Sequence, residues 1–156
     1  MVTIVMTNEE LKIKLTELFP TINFEEGGEW LNVFVMPQEL KSFVQQIRST
    51  EDLHFDYLFC LTCVDWKTHF NMVYHFSSTI HRHNFVLKVK IDRANPEIET
   101  VSDIWRTAEM LEREVYDLFG VIFLNHPDLR RLIMPDDWQG WPLRKDYEDA
   151  INMIKL

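Results

Sequence analysis

The sequence is poor in glycine and cysteine. Of its 156 residues only four are glycine, at positions 27, 28, 120 and 140, and two are cysteine. A phosphate-binding loop needs closely spaced glycines, because its backbone must approach the phosphates. This chain has no such loop, which argues against binding of a nucleotide or a flavin by the chain itself.

The two cysteines, Cys60 and Cys63, have the spacing of a redox dithiol or of half a zinc or iron–sulfur site. Such metal sites need about four ligands, and the chain has no second pair of cysteines. Both cysteines lie in a predicted β-strand, where positions three apart face opposite sides. We therefore expect two inert thiols, kept reduced in a cytosolic compartment.

The chain also lacks a long apolar run and an excess of positive charge. No stretch reaches the roughly 20 apolar residues that a membrane-spanning helix needs, and the N-terminus does not resemble a secretory signal. The formal net charge is −9, which disfavours nucleic acids and anionic lipid surfaces as partners. We expect a soluble cytosolic protein.

Hydrophobic periodicity predicts helices and strands in the first hundred residues. A first helix should start at Asn8, whose side chain would cap it, and a second should begin at Pro37. The predicted strands are 30–36, 56–65, 69–77 and 83–92, and the last two should form a hairpin.

A last helical region should run from about Ser102 to Phe119 and stop at Gly120. This order of elements predicts an α+β fold, a two-layer domain with a mixed, mostly antiparallel sheet and helices on one face. We assign residues 1–120 to this domain. Residues 121–156, called here the C-terminal segment, should form an irregular interface segment that packs on the domain and on partner proteins, within a chain that is a single domain overall.

The C-terminal segment shows neither a helical nor a strand period, yet it is rich in apolar and aromatic residues. Disordered segments are poor in such residues, so we expect this one to be ordered and functional. Residues 121–145 have a net charge of +1, and the rest of the chain sums to −10. We expect a partner that recognises this neutral-to-basic surface, with Trp138 and Trp141 at the interface. Packing of the two tryptophans on their own domain is the alternative.

The helix before Gly120 should carry a solvated charged face opposite an apolar stripe of Leu111, Val115, Leu118 and Phe119. Arg113 lies four residues from both Glu109 and Asp117, so ion pairs along the helix are available. Glu112 and Glu114 flank the stripe on either side. Because these two carboxylates diverge, they are unsuited to paired acid–base catalysis.

The histidines give no clear site. His75, His81 and His83 surround the predicted hairpin, but no acidic or thiol ligand lies close in sequence. We therefore expect solvated turn histidines.

His126 and Asp128 could be read as a catalytic pair, but no serine or cysteine nucleophile accompanies them. Pro127 restricts the backbone, which favours a rigid turn that presents the imidazole together with Arg130 and Arg131. These arginines suit bidentate pairing with carboxylates on a partner.

Two other classes of function stay open at this point. One is a stand-alone hydrolase that uses His126 with Asp128 or Asp136. The other is a nucleic-acid-binding module, which would need a basic, aromatic sheet face and is disfavoured by the acidic body.

Five motifs together resemble one family. They are Glu112-Arg-Glu, Tyr116-Asp-Leu-Phe-Gly120, His126-Pro-Asp-Leu-Arg-Arg131, Met134-Pro-Asp-Asp-Trp138 and Pro142-Leu-Arg-Lys-Asp-Tyr147. They closely resemble the thirty-kilodalton subunit of respiratory complex I (NADH:quinone oxidoreductase). The match has no gap from Glu112 to Tyr147, and the earlier Val64-Asp-Trp66 agrees more loosely. Glu148 departs from the pattern, since the family commonly has proline there.

The resemblance implies a non-catalytic scaffold subunit of this proton-translocating enzyme, on the cytoplasmic side of the bacterial inner membrane and peripheral to it. It implies no cofactor in this chain, with FMN and iron–sulfur clusters in partner subunits. The partners would be the subunits of the quinone site and of the terminal iron–sulfur cluster. A homologous subunit of a membrane-bound hydrogenase, or of a ferredoxin- or cofactor F-linked complex, is the alternative.

The resemblance also implies which residues would contact neighbouring subunits. They are charged, aromatic or turn-forming residues of the matched region, with no catalytic or metal-binding residue among them: Glu112, Arg113, Glu114, Asp117, His126, Pro127, Asp128, Arg130, Arg131, Asp136, Asp137, Trp138, Trp141, Arg144, Lys145 and Asp146.

Overall fold

The structure is a computed structural model that describes residues 3, 5–149, 151 and 153. Its elements follow the predicted order, with short additional strands and a 3-10 turn (Pro37–Glu39). They are α1 (Asn8–Leu18), β1 (Asn23–Glu25), β2 (Leu31–Val35), α2 (Leu40–Ser49), β3 (Tyr57–Asp65), β4 (His69–Ser77), β5 (Asn84–Asp92), β6 (Glu97–Glu99), α3 (Ala108–Phe119) and β7 (Ile122–Leu124).

Five strands form the main sheet in the order β1-β2-β5-β4-β3. The pairs β1–β2, β4–β5 and β3–β4 are antiparallel, whereas β2 and β5 run parallel. Strands β6 and β7 form a separate parallel pair. The predicted α+β class with a mixed, mostly antiparallel sheet is confirmed.

The core lies between one face of this sheet and the helices. Strand β4 alternates strictly, so that Phe70, Met72, Tyr74 and Phe76 are buried while the intervening side chains are half-buried. These side chains belong to one apolar cluster with buried residues from α1, α2 and α3. The period of two in β4 therefore fixes which face of the sheet receives the helices.

The start of α1 corrects one prediction, since Thr7 is the N-cap rather than Asn8. The Thr7 hydroxyl accepts from the Glu10 amide at 3.3 Å, and the Glu10 carboxylate accepts from the Thr7 amide at 2.8 Å. This reciprocal capping box satisfies two helix-end groups at once. The Asn8 side chain instead donates to the Glu29 carbonyl oxygen.

Two other helix starts also differ from the sequence-based expectation. Pro37 opens the 3-10 turn, and α2 itself begins three residues later at Leu40. Helix α3 begins at Ala108 rather than near Ser102. The residues before it form turns, in which the Trp105 amide donates to the Val101 carbonyl oxygen and the Ala108 amide donates to the Trp105 carbonyl oxygen.

The cysteines lie on opposite faces of β3, as predicted. Cys63 pairs with Met72 on the buried face, and Cys60 pairs with His75 on the half-exposed face. Burial raises the pKa of the Cys63 thiol to about 12. At neutral pH this thiol is therefore protonated and a poor nucleophile.

The prediction of solvated turn histidines is wrong for His81 and His83, which are both buried. The Nε2 atom of His81 lies 2.8 Å from the Glu51 carbonyl oxygen, and that of His83 lies 3.0 Å from the Leu53 carbonyl oxygen. Both imidazoles thus satisfy backbone groups of the turn that follows α2.

In the described ranges of the chain, no helix has the length and apolar character to cross a lipid bilayer.

Candidate functional site

The C-terminal segment folds back onto α3 and the sheet. Strand β7 lies at its start and pairs with β6. The sequence predicted an irregular segment, and this short strand is an exception. Further along, the Leu143 amide donates to the Leu118 carbonyl oxygen at the end of α3, at 3.0 Å. Between these two attachments, buried charged side chains hold the segment to the domain.

Asp117, in the last turn of α3, is the centre of these contacts. Its Oδ2 accepts from the backbone amides of Leu132, Ile133 and Met134 at 3.1, 2.6 and 2.9 Å. Its Oδ1 accepts from Arg131 Nη1 at 2.9 Å. Burial alone would raise the pKa of Asp117, but these donors outweigh it and hold the pKa below its usual value. A fully buried carboxylate thus organises three consecutive backbone amides.

Arg131 extends the same network. Its Nη2 donates to the carbonyl oxygens of Trp138 and Gly140 at 2.9 and 3.0 Å, and its guanidinium lies 4.6 Å from the centre of the Trp141 ring. With Asp117 on its other side, this guanidinium closes the loop between residues 131 and 141. Contrary to the sequence-based expectation, Arg131 is therefore bonded inside its own chain and does not present a fork to a partner's carboxylate.

Arg113 also differs from the expectation of a solvated helix face. It is buried, and its Nε and Nη2 donate to the backbone carbonyl oxygens of Arg130 and Arg131 at 3.2 and 3.0 Å. Asp117, its expected ion-pair partner, is occupied by Arg131. Arg113 thus bonds the carbonyl oxygens, and Asp117 the amides, of the same short stretch of backbone at residues 130–134.

Glu112 is fully buried, which corrects its assignment to a flank of the apolar stripe. Its two carboxylate oxygens accept from the Thr100 hydroxyl at 2.5 Å and from the Val101 amide at 2.8 Å. Burial raises the pKa of Glu112 to about 7, although these two hydrogen bonds oppose the shift. Glu112 thus joins α3 to the loop that precedes it, whereas Glu114 is exposed.

His126 is enclosed rather than presented at a turn, as its side chain has no exposed surface. Its Nδ1 accepts from the Asp128 amide at 3.0 Å, so the hydrogen lies on Nε2 and is donated to the Glu109 carbonyl oxygen at 3.0 Å. The same Nε2 lies 3.8 Å from the Glu112 carboxylate. Both ring nitrogens are therefore engaged, and neither can serve as a base towards an external substrate.

A second anchor lies at Asp65, which sequence reasoning missed as a site residue. Arg93 forms a bidentate pair with its carboxylate at 2.9 and 3.0 Å, and the Lys145 amide donates to it at 2.9 Å. Arg93 also reaches Asp146, at 2.5 Å. Burial would raise the pKa of Asp65, but its hydrogen bonds, led by Arg93, hold it well below its usual range. The only signal in the sequence was the Val64-Asp-Trp66 motif.

Arg144 lies beside this second anchor. Its Nε donates to the Phe119 carbonyl oxygen at 2.6 Å, and its guanidinium lies 5.1 Å from the centre of the Phe70 ring. Burial, followed by the nearby charge of Arg93, lowers its pKa. Arg144 therefore caps the C-terminal end of α3 with a positive charge, where the helix dipole favours one.

The predicted interface residues thus fall into three groups by burial. The side chains of Glu112, Arg113, Asp117, His126 and Arg131 are buried or nearly so, and Trp138, Trp141 and Arg144 are half-buried. The remaining predicted residues are exposed: Glu114, Pro127, Asp128, Arg130, Asp136, Asp137, Lys145 and Asp146.

The C-terminal segment also exposes apolar residues, which are not among the predicted interface residues named above. They include Leu132, Ile133 and Leu143, which are 37%, 60% and 52% exposed.

Within the described part of the chain, no three His, Cys, Asp or Glu side chains form a cluster suited to a metal ion. The arrangement as a whole anchors one segment of the chain and gives it a fixed outer surface.

Comparisons with known proteins show which family the chain is similar to. A family model described as "Respiratory-chain NADH dehydrogenase, 30 Kd subunit" matches residues 33–150. The chain is 45% identical over 104 residues to an NADH-quinone oxidoreductase subunit of Chloroherpeton thalassium, covering 65% of this chain and 43% of that protein. It is 38% identical over 148 residues to an F(420)H(2) dehydrogenase subunit of Methanosarcina mazei, covering 88% and 90%. The chain spans less than half the length of the curated relatives that it matches with 43% and 45% identity.

Two solved structures are similar as well. One is the trypsin-resistant fragment (1–134) of Nqo5, with a TM-score of 0.69 and 27% identity, covering 79% of this chain and all of that one. The other is a chain of the membrane-bound sulfane sulfur reductase, an archaeal respiratory membrane complex, with a TM-score of 0.78 and 27% identity, covering 91% and 86%.

Proposed function

Because this chain belongs to the family of the 30 kDa subunit of respiratory-chain NADH dehydrogenase, we propose that it is a scaffold subunit in the peripheral arm of complex I. That enzyme, the proton-translocating NADH:quinone oxidoreductase, passes electrons from NADH through FMN and iron–sulfur clusters to a quinone. The chain is part of an oxidoreductase in this proposal and is itself non-catalytic.

The anchoring of the C-terminal segment by Asp117 is the observation that carries the proposal. An aperiodic segment is costly to order, because its backbone entropy is lost without the hydrogen bonds of a helix or sheet. Here one carboxylate and the guanidinium of Arg131 supply those bonds. Asp117 and Arg131 therefore stabilise the surface of the segment and are not available for catalysis.

The proposal assigns the redox cofactors to other subunits. FMN and the iron–sulfur clusters would be held by partners, and this chain would lie beside the subunits of the terminal cluster and the quinone site. The complex would face the cytoplasm at the inner membrane of a bacterium, with this chain attached only through its partners.

A pull-down tests the proposal. The tagged chain is expressed in its source organism, recovered from detergent-solubilised membranes and analysed by mass spectrometry together with its bound flavin and iron. We expect flavin- and cluster-bearing proteins and NADH:quinone activity in the eluate. Recovery of the chain alone, in monomeric form, would overturn the proposal.

A related complex with another electron donor is the second candidate. The relative from Methanosarcina mazei is named as an F(420)H(2) dehydrogenase subunit and matches over 90% of its length. The sulfane sulfur reductase chain has the higher TM-score of the two structures described above. The same pull-down distinguishes the candidates, because the donor-binding proteins that co-purify identify the donor.

The other classes of function receive no support from the structure. A hydrolase based on His126 requires a ring nitrogen that can reach a substrate, and both are bonded within the chain. A nucleic-acid-binding module requires positive surface, and the formal net charge is −9.

A further inference from the structure

The outer surface of the C-terminal segment has a different charge from the one that its sequence suggests. Two of the four positive side chains of residues 121–145 are withdrawn from the surface, since Arg131 pairs with the buried Asp117 and Arg144 bonds to backbone. Arg130 and Lys145 stay exposed, but the charge of Arg130 is balanced by its ion pair with Asp128. The net charge of +1 therefore overstates the positive charge that a partner can reach.

The negative side chains at the tip of the segment (residues 132–138) are available. Asp136 and Asp137 are exposed, and neither carboxylate makes a hydrogen bond or an ion pair with a described residue. The charge of Asp136 acts only weakly on Arg130, whose pKa is raised mainly by its hydrogen bond to Asp128. The accessible charge of the tip is therefore negative.

The tip also exposes apolar side chains in a fixed orientation. The amides of Leu132, Ile133 and Met134 all point inwards to the Asp117 carboxylate. Although their amides point inwards, Leu132 and Ile133 are 37% and 60% exposed. Adjacent exposed aliphatic residues on an immobilised backbone are typical of a binding surface, since little entropy is lost when a partner covers them.

Trp138 adds an unsatisfied polar group to the same tip. Its carbonyl oxygen is fixed by Arg131, but its enclosed indole N–H finds no acceptor among the described residues. A buried donor without an acceptor is rare in a completed structure. Among the described residues of the segment, Trp138 is thus the one whose buried side-chain polar atom has no hydrogen-bond partner.

We propose that the tip, residues 132–138, docks into an apolar groove of a partner protein whose rim carries lysine or arginine. Leu132 and Ile133 enter the groove, and Asp136 with Asp137 pairs with the basic rim. This inference rests on the proposed function, because it assumes that the segment faces another subunit. The proposed docking of the tip also differs from the sequence-based expectation, in which the partner supplies carboxylates to Arg130 and Arg131.

Photo-crosslinking in the assembled complex tests the proposal. A photoreactive amino acid replaces Ile133 in one variant of the tagged full chain and Ile13 in the other. The two isoleucines are a matched pair, since each is 60% exposed and Ile13 lies on α1. Each variant is expressed in the source organism, purified from solubilised membranes, irradiated and mapped by mass spectrometry.

We expect the probe at position 133 to link to one other polypeptide, in a stretch that combines apolar residues with lysine or arginine. Links from position 13 should be about tenfold fewer. Links from 133 that stay within the chain, reach a second copy of it, reach lipid or are no more frequent than those from 13 would each overturn the proposal.

Substitutions with natural amino acids give an independent readout without a bulky probe. Ile133→Ser, and separately Asp136→Asn with Asp137→Asn, should reduce the amount of chain that co-purifies with the complex by about tenfold, which corresponds to about 1.4 kcal/mol of binding free energy. Ile13→Ser should have no effect. If wild-type chain co-purifies with the complex and all these variants do so equally, the proposed docking of the tip is wrong and the scaffold function stands. If wild-type chain does not co-purify, both fail.

Discussion

The indole ring of Trp141 lies directly against the backbone of Gly120. A Cβ atom at Gly120 would lie 2.5 Å from Cε2 of Trp141, closer than two non-bonded carbon atoms approach in proteins. Gly120 also has a φ of 75°, the left-handed conformation that ends α3. This one glycine therefore both terminates the helix and admits the ring, which packs on Tyr116 and on Arg131.

Replacement of Gly120 tests this close approach. We expect Gly120→Ala to lower the free energy of unfolding by about 2–4 kcal/mol, because alanine is strained at positive φ and its methyl group displaces the ring. Urea unfolding of the purified chain measures it. The double variant with Trp141→Ala should lose less than the sum of the single variants. Strictly additive losses would show that the two residues do not interact.

The two neighbouring arginines should behave differently. Arg131→Ala removes the partner of a fully buried carboxylate, so we expect it to cost about 3–5 kcal/mol of stability and to impair assembly of the complex on native gels. Arg130→Ala is the matched control, since its exposed pair with Asp128 contributes little. Equal effects of the two variants, or full assembly with both, would contradict the anchoring role of Arg131.

Glu112 should make stability depend on pH. Its pKa is about 7 in the folded chain against 4.5 as the ordinary value. Between these values the folded state holds a proton that the unfolded state has lost, so this group lowers stability as the pH rises from 4.5 to 7.

Glu112→Gln removes that titration. Its free energy of unfolding relative to wild type should rise by about 3 kcal/mol between pH 4.5 and pH 8, at about 1.4 kcal/mol per unit of pKa shift. Glu114→Gln, two residues along the same helix and exposed, is the matched control for the change of glutamate to glutamine. If the difference in free energy of unfolding between Glu112→Gln and wild type does not change with pH, the pKa of Glu112 is not raised.

Cys63 should be chemically inert in the folded chain. Burial raises its pKa to about 12, so almost no thiolate is present at pH 8. In a Cys60→Ser variant, we expect a thiol-specific reagent to modify Cys63 only after denaturant is added. Modification of the native variant at the rate of a free thiol would contradict the burial of Cys63.

Local periodicity was enough to predict most of the fold. The alternation in β4 and the helical spacing of Leu40, Phe43, Val44 and Ile47 both depend on residues close in sequence, and the structure buries these side chains. The end of α3 at Gly120 could also be predicted, because a helix stop depends on residues close in sequence.

The buried charges could not be read in this way. Glu112 and Asp117 carry no local sign that each will be enclosed, because their partners lie 11 or more residues away in the sequence. The Asp65 carboxylate and the Lys145 amide are 80 residues apart. A helix face with Glu, Arg and Asp is usually solvated, and only the fold of the C-terminal segment over α3 reverses that expectation.

Hydrogen exchange tests most directly whether the C-terminal segment is ordered before it meets a partner. In the isolated chain at neutral pH, the amides of Leu132, Ile133 and Met134 should exchange far more slowly than in the unfolded chain, because each donates to Asp117. Asp117→Asn should reduce that protection and leave β4 protected, because the asparagine Nδ2 would face the Arg131 guanidinium and the oxygen that accepts the three amides would lose its charge. Exchange of these three amides at the unfolded rate in the wild-type chain would contradict a preformed docking surface.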